Sequence, residues 1–324
     1  MDKSRAIKMK FLLNLFVFYF FLKSQENNTN ITNNISKNMY KTTINLNNSS
    51  FIKNETKKNL IIVAMINYDW NKVKLFFNSF KSSGFTNCDF VVFFNNTNEY
   101  TIKMIKSLGI VTYSIQEKYN QTFNEIPLIN YRWKIYYDYL NDNNEKYNLV
   151  LTADVRDSIF QLDVFQFYQK NESFLGIAIE DGNLSEITNR DWIINAFGER
   201  LHKSIEHERI VCIGTLWGTL DKFMEFSYIL WDILGKKWAL KHNVIEQAVV
   251  NYLIYHEKIF NDCLEKSYNE NGRIMTLALT DRKNIFLDSQ ENILNGKKQI
   301  AALVHQYDRK KDIIDIMNKK YGSM

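Results

Sequence analysis

The stretch Leu149-Val150-Leu151-Thr152-Ala153-Asp154-Val155-Arg156-Asp157-Ser158-Ile159-Phe160-Gln161 decides how this chain is read. An apolar run stops at two acidic residues that have an arginine between them. Tyr147 to Thr152 predicts a short buried strand, which leaves Asp154 and Asp157 just past its C-terminal end. In an open α/β sheet that is where ligands bind. Two carboxylates there can hold a divalent cation, and such a cation can hold a pyrophosphate. The bland alternative is that Asp154 caps the next turn and Asp157 pairs with Arg156 at the surface.

Around this strand, strand and helix signals alternate from Asn59 onward. Leu60 to Met65, Phe90 to Phe94 and Ile110 to Ser114 are β-rich apolar runs. Between them, Val73, Phe76, Phe77 and Phe80 recur at helical spacing, and a second helix fits Glu99 to Leu108, with Gly109 ending it. Asn130 to Leu140 reads as a helix with Trp133, Tyr136, Tyr137 and Leu140 on one face. This order predicts an α/β fold: a mainly parallel central sheet flanked by helices. Further on, strands are expected at Phe174 to Ile179, Ile210 to Ile213, Ile274 to Leu279, Ile285 to Leu287 and Ala301 to Val304. Helices are expected at Thr219 to Leu234, Asn243 to Tyr255 and Lys311 to Lys320. In the helix from Asn243, Glu246 stands three residues after its cap, a capping-box spacing. Residues 59–324 read as one domain.

The formal net charge of +5 sits at the start of the chain. Lys3, Arg5, Lys8 and Lys10 against Asp2 give +3 and Lys23 adds one, which leaves about +1 for the rest. That is no footprint for nucleic acid. The basic residues precede an apolar run from Phe11 to Leu22, roughly 18 Å long as a helix at 1.5 Å per residue, against a hydrocarbon layer of about 30 Å. Residues 1–23 are thus either a cleaved signal peptide or a signal anchor. The expected location is the secretory pathway: a type II ER or Golgi membrane protein with a luminal domain, or a secreted one if the segment is cleaved. Residues 24–58 are Asn-, Ser- and Thr-rich and read as a disordered stem. Glycosylation acceptor triplets start at Asn27, Asn30, Asn34, Asn47, Asn48 and Asn54, and again at Asn95, Asn120, Asn171 and Asn183. Cys88, Cys212 and Cys263 permit at most one disulfide and form no zinc pattern.

The segment from Asp154 to Phe165, Asp-Val-Arg-Asp-Ser-Ile-Phe-Gln-Leu-Asp-Val-Phe, resembles a signature in a branch of the GT-A-fold glycosyltransferases that use nucleotide-diphospho-sugars. There an Asp-x-Arg-Asp stretch replaces Asp-x-Asp. Arg132 with Tyr136 and Leu140, Cys212-x-Gly214-Thr215 with Gly218, and Val304-His305-Gln306-Tyr307-Asp308-Arg309 match it in the same order. The resemblance implies a GT-A-like catalytic domain and transfer of a sugar from a nucleotide-sugar donor to a glycan, glycoprotein or glycolipid acceptor. It also implies Mn²⁺ or another divalent cation, held by Asp154, Asp157 and His305; imidazole suits Mn²⁺ better than Mg²⁺. Asn67 and Tyr68 would meet the nucleoside. Gly214 and Thr215 would let backbone approach the donor, while Arg132 and Arg156 are further donor-side candidates, Arg132 as a bidentate donor to a phosphate or a site carboxylate.

Asp154, Asp157 and Glu246 are the candidate catalytic residues, Glu246 as a general base resembling the acidic-Gln pair that borders the acceptor in such enzymes. Asp181 is an alternative base. Trp192, Trp217, Trp231 and Trp238 are candidates for a sugar platform or for core. Arg156 stands where the second acid of Asp-x-Asp would be, so a non-catalytic glycan-binding protein on the same fold is the rival reading. A metal-dependent phosphohydrolase is weaker, because the chain has only five histidines and no Asp-x-Asp nucleophile motif.

Overall fold

The central strands are apolar on both faces because both faces are covered. β1 (Lys58–Ile66), β2 (Cys88–Asn95), β3 (Val111–Ser114) and β4 (Tyr147–Ala153) are parallel, in the spatial order β3-β2-β1-β4. With β5 (Ser158–Phe160) set apart, the sheet continues through β6 (Leu175–Asn183), β7 (Arg209–Thr219) and β8 (Leu264–Tyr268), giving β4-β7-β6-β8. β7 runs against both its neighbours, and the other six strands share one direction. The computed structural model describes residues 57–119, 127–168, 172–236, 239–240 and 242–323, all within one compact unit. The expected apolar segment 11–22, the stem up to residue 56 and the acceptors Asn27, Asn30, Asn34, Asn47, Asn48, Asn54, Asn120 and Asn171 lie outside the described residues, as does Trp238. No helix among the described residues is long and apolar enough to cross a membrane.

Alternate residues of β4 serve the two helical layers. Leu149, Leu151 and Ala153 join a core with Phe76, Phe77, Phe90 and Phe160. The helix Trp70–Ser82 supplies Phe76 and Phe77, and the Asp69 side chain caps it by accepting from the Lys72 N–H at 3.2 Å. Phe76 sits 5.1 Å from Phe160 and 6.0 Å from Phe90 between ring centroids. Truncating such a buried ring to alanine costs about 3–5 kcal/mol. On the opposite side Thr152 Oγ1 donates to Tyr136 Oη at 3.3 Å. There the helix Leu128–Asp142 packs on Leu220–Leu234 through Trp133 on Phe226 and Tyr137 on Tyr228.

A second sheet bears directly on the site. β9 (Ile274–Thr276) is followed by the short hairpin β10 (Phe286–Leu287) and β11 (Ile293–Leu294), then by β12 (Leu303–His305). β12 lies between β5 and β9, with His305 opposite Ser158 on one side and Thr276 on the other. The register therefore delivers His305 beside the residue that follows Asp157.

Three expectations are corrected. The strand expected at Ile210 to Ile213 runs on to Thr219, but its pairing with β6 jumps from Leu216 opposite Ile177 to Cys212 opposite Ala178. Ile213, Gly214 and Thr215 thus form a bulge within the strand, a device that re-aims residues next to sites. The helix expected from Asn243 begins at Glu246 with Ile245 at the cap position, and it ends at Asn251 in a π turn, Tyr252–His256. Asn243 has φ 48°, and Glu246 is drawn into an ion pair instead of reaching back to the backbone. Lys58, placed in the stem by composition, is a strand residue paired with Asp89 at 2.8 Å. β8, Leu-Glu-Lys-Ser-Tyr, carries no apolar alternation and was not foreseen; it is an edge strand, where charge is common.

Candidate functional site

β4 ends at Ala153, and the Asp154 N–H donates to the Gly214 carbonyl in the β7 bulge at 2.8 Å. This turns the Asp154 carboxylate out past the strand end. Its Oδ1 accepts from Arg132 at 2.6 Å, and its Oδ2 lies 3.7 Å from His305 Nε2. One turn later Asp157 is buried, with Oδ1 3.4 Å from the same Nε2. Its Oδ2 accepts from Arg156 at 2.8 Å and faces Arg309 at 3.5 Å, and its carbonyl accepts from the Gln306 N–H at 2.7 Å. Burial alone would raise the Asp157 carboxyl, but His305, Arg156 and Arg309 outweigh it and hold it below the usual carboxylate range.

His305 is enclosed on every side. Burial disfavours a charged ring, yet Cys212 and Asp157 outweigh it and hold the imidazole well above its ordinary value. Nδ1 faces Cys212 Sγ at 3.3 Å and Thr276 Oγ1 at 3.5 Å. Thr276 in turn donates to Gln306 Oε1 at 2.7 Å. The ring lies against Gly214, where an added Cβ would come within 2.1 Å of His305 Cε1.

Among the described residues, Asp154, Asp157 and His305 are the one set of acids, histidines and cysteines whose ligand atoms gather within 4.8 Å of one another. Donor atoms about 2.1 Å from a shared ion stand about 3.0 Å apart at right angles and about 4.2 Å apart when opposed. The imidazole-to-carboxylate separations of 3.4 and 3.7 Å fall inside that span. Two carboxylate oxygens and one imidazole nitrogen suit a divalent cation, and the residues present fit one.

Arg132 is the brace behind the cluster. It is buried and also donates to both oxygens of Glu246, at 2.6 and 3.2 Å, while Trp133 Nε1 donates to Glu246 Oε2 at 2.5 Å. Burial pushes the Glu246 carboxyl up to about 7 against the pull of Arg132. Glu246 is 2 % exposed, with its oxygens turned onto Arg132 and Trp133. The structure therefore places it behind Arg132 and not beside the cluster. Its neighbour Gln247 accepts from the Ile213 N–H at 3.5 Å and donates to Asn189 at 2.8 Å. Arg156 bridges Asp157 and Asp308, the latter at 2.9 Å. It reaches only the outer oxygen of Asp157, so Oδ1 still faces His305.

Asn67 and Tyr68 follow β1 and, with Asp69, Asn96, Thr97 and Asn98, line a cavity of about 270 Å³ at the ends of β1 and β2. Asn67 and Asn96 both have positive φ, and Asn96 donates to Asn67 Oδ1 at 2.6 Å. Tyr68 joins this cavity to the cluster: burial raises its hydroxyl, and Arg156, Asp154 and Asp157 all act on it. Thr215 is buried and its hydroxyl has no hydrogen-bond partner. Asp181 accepts from Arg209 at 2.8 Å and from Asn269 at 3.1 Å, apart from the cluster. Trp217 is core, packed 5.0 Å from Tyr168; Trp231 packs on Tyr131, and Trp192 on the core of Leu184 and Ile193. Cys212, Asp308 and Arg309 stand in the motif segments quoted from the sequence without a role of their own there, and Thr276 stands in none of them. Asp308 and Arg309 lie within four residues of His305, a usable signal, whereas nothing local marks Thr276.

No protein-family model matches the chain, and no curated protein does. Solved structures with a similar backbone include the apo bifunctional glycosyltransferase WbbM: 11% identical, TM-score 0.50, covering 86% of this chain and 51% of that one. Others are the galactosyltransferase LgtC in complex with donor and acceptor sugar analogs (14% identical, TM-score 0.48, 80% of this chain and 95% of that one) and the glycosyltransferase GlyE of Streptococcus pneumoniae TIGR4 (14%, TM-score 0.38, 65% and 45%). The sheet order and the likeness to WbbM bear out the α/β architecture, similar to that of GT-A glycosyltransferases.

Proposed function

We propose that this protein is a metal-assisted glycosyltransferase that moves a sugar from a nucleoside-diphosphate donor to a glycan, protein or lipid acceptor. One observation carries the reading: Asp154, Asp157 and His305, from segments some 150 residues apart, converge at the strand ends beside a cavity walled by Asn67 and Tyr68. Asp154, Asp157 and His305 would hold a divalent cation, Mn²⁺ by the nitrogen ligand, which would supply positive charge to a diphosphate leaving group. Asn67 and Tyr68 receive the nucleoside. Arg156 and Arg309 stand beside Asp157, where they can also meet phosphate oxygens. Arg132 holds Asp154 in place, and Glu246 holds Arg132, a positioning role in place of the general-base role. Gly214 and Thr215 act through the bulge: Gly214 leaves room for His305.

Arg156 was the ground for a non-catalytic rival. Its contact with the outer oxygen of Asp157 supports the enzyme reading instead, because Oδ1 stays directed at His305. The test is donor hydrolysis by residues 57–324 against a panel of nucleotide-sugars, with and without Mn²⁺. Turnover that needs the ion and falls in Asp154→Asn and Asp157→Asn supports the reading; sugar binding indifferent to EDTA with no turnover sinks it. The luminal location is part of the proposal, resting on the basic-apolar N-terminus and the acceptor triplets. Resistance of the expressed full chain to endoglycosidase, with no mass shift, would count against it.

A further inference from the structure

Two of the glycosylation acceptor triplets fall among the described residues, Asn95-Asn96-Thr97 and Asn183-Leu184-Ser185, and the fold turns them in opposite directions. At the end of β6, Asn183 and Ser185 are exposed while Leu184 between them is wholly buried. Leu184 packs with Ile193, Ile205 and Ile210. Its N–H donates to the Glu208 carbonyl at 2.9 Å, and its own carbonyl lies 3.0 Å from His202 Nε2. The middle residue pins this segment to the core and leaves its two neighbours outside. At the end of β2 the order is reversed. Asn95 and Thr97 are half-buried, and Asn96 between them is exposed, with φ 48° and a place in the cavity wall beside Tyr68. The Asn95 carbonyl accepts from the Asn67 N–H at 3.2 Å and from the Thr97 hydroxyl at 3.3 Å.

An N-linked glycan is bulky and hydrated, and it is carried on the asparagine side-chain nitrogen, so that nitrogen must stand clear of the surface. Asn183 meets this condition. Its Oδ1 accepts from the Ser185 hydroxyl at 2.5 Å and from the Ser185 N–H at 3.2 Å. The hydroxyl that the triplet requires is thus already on the amide it serves. Both bonds end on the oxygen, and Nδ2 donates to no described residue. Asn183 also stands apart from the metal-type cluster and from the residues that line the cavity. Asn95 fails the same test. The Thr97 hydroxyl is spent on a backbone carbonyl instead of the amide. An oligosaccharide on Asn95 would compete for the cavity that the next two residues line.

We propose that Asn183 is an N-glycosylation site on the folded domain and that Asn95 is not one. The donor is an oligosaccharide carried on a lipid diphosphate in the lumen. The bond from its anomeric carbon to the diphosphate oxygen breaks, and the diphosphate leaves with the electron pair. A bond from that carbon to Asn183 Nδ2 forms. Nδ2 loses one hydrogen as a proton to a base of the host's transferring enzyme, and nothing is oxidised or reduced. The inference rests on the luminal location for its chemistry. Its choice between the two triplets rests on exposure and hydrogen bonding alone.

The experiment expresses the full chain in a eukaryotic cell and reads glycan occupancy peptide by peptide. Release of the glycans by peptide N-glycosidase in H₂¹⁸O turns each occupied asparagine into ¹⁸O-labelled aspartate, which mass spectrometry places. Wild type, Asn183→Gln, Ser185→Ala and Asn95→Gln are also compared as intact proteins. We expect the label at Asn183 in wild type, loss of one glycan's mass in both Asn183→Gln and Ser185→Ala, and no change of mass in Asn95→Gln. Ser185→Ala keeps the asparagine, so its loss separates use of the triplet from an effect of replacing Asn183. An unlabelled Asn183 in chains labelled within residues 24–58 overturns the inference and leaves the luminal location standing. A label on Asn95 in folded protein overturns the choice between the two triplets. No label at any triplet overturns the luminal location and this inference together.

Discussion

Gly214 and His305 occupy one space: a β-carbon on Gly214 would lie 2.1 Å from His305 Cε1 and 2.5 Å from Nε2. The β7 bulge thus does two things at once. Its Gly214 carbonyl orients Asp154 and its bare α-carbon makes room for the histidine. Glycine is needed here for close approach and not for a special backbone angle, since Gly214 is not among the positive-φ glycines.

Gly214→Ala is therefore expected to displace His305 while leaving the outer sheet intact. Overpacking of this kind costs about 1–3 kcal/mol. Mn²⁺ affinity should fall at least tenfold more than this stability loss accounts for. Metal titration of folded Gly214→Ala, set beside its urea midpoint, checks it; native affinity would show that the ring has room elsewhere.

Asp157→Asn should be more harmful than its size change suggests. It removes the buried charge that Arg156 and Arg309 flank and the oxygen nearest His305. Loss of several kcal/mol of transition-state charge stabilisation lowers turnover on the order of 10²-fold or more. Steady-state donor hydrolysis at saturating Mn²⁺ measures this. Arg156→Ala should keep the ion, because Oδ1 is untouched, and mainly raise the KM for donor.

Glu246 links pH to stability. Its carboxyl is raised by burial from 4.5 to about 7, so the folded state holds the proton more tightly than the unfolded chain. The stability this contributes is fully present below about 4.5 and is lost as pH rises towards about 7. Urea unfolding across pH 4 to 8 should show a decline over that window, flattened in Glu246→Gln. Glu246→Ala, which removes one partner of the buried Arg132, should cost about 3–5 kcal/mol. An identical slope in wild type and Glu246→Gln would refute the assignment.

Tyr68→Ala tests the cavity. An aromatic face that stacks on a base contributes about 1–3 kcal/mol, so nucleoside-diphosphate binding should weaken by roughly 5- to 150-fold in calorimetry. Tyr68→Phe should keep most of it. Equal loss in both variants would point to the hydroxyl and not to the ring.

Local patterns carried much of the fold. The apolar runs at Leu60 to Met65 and Phe90 to Phe94 and the run before Asp154 are strands, and the helical spacing of Val73, Phe76, Phe77 and Phe80 is a buried face. These follow from burial on a strand or helix period, which any short window displays. Asp154, Asp157 and His305 were each legible as strand-end residues for the same reason. Glu246 was not: its capping-box spacing is a local pattern, and a buried guanidinium more than 100 residues away overrode it. The bulge at Gly214 was hidden because register is a property of paired strands and not of one strand.

By itself, then, the sequence determined which segments are strands and helices, that the sheet is mainly parallel, and that two acids and a histidine stand at strand ends. Only the tertiary structure decided that the three meet. It also decided that Arg156 faces the outer oxygen of Asp157, that Arg132 ties Asp154 to Glu246, and that Cys212 stands behind His305. The reason is physical: hydrogen bonds and ion pairs act over about 3 Å, and only the pairing of β4 with β7 and of β12 with β5 brings residues this far apart in the chain within that reach.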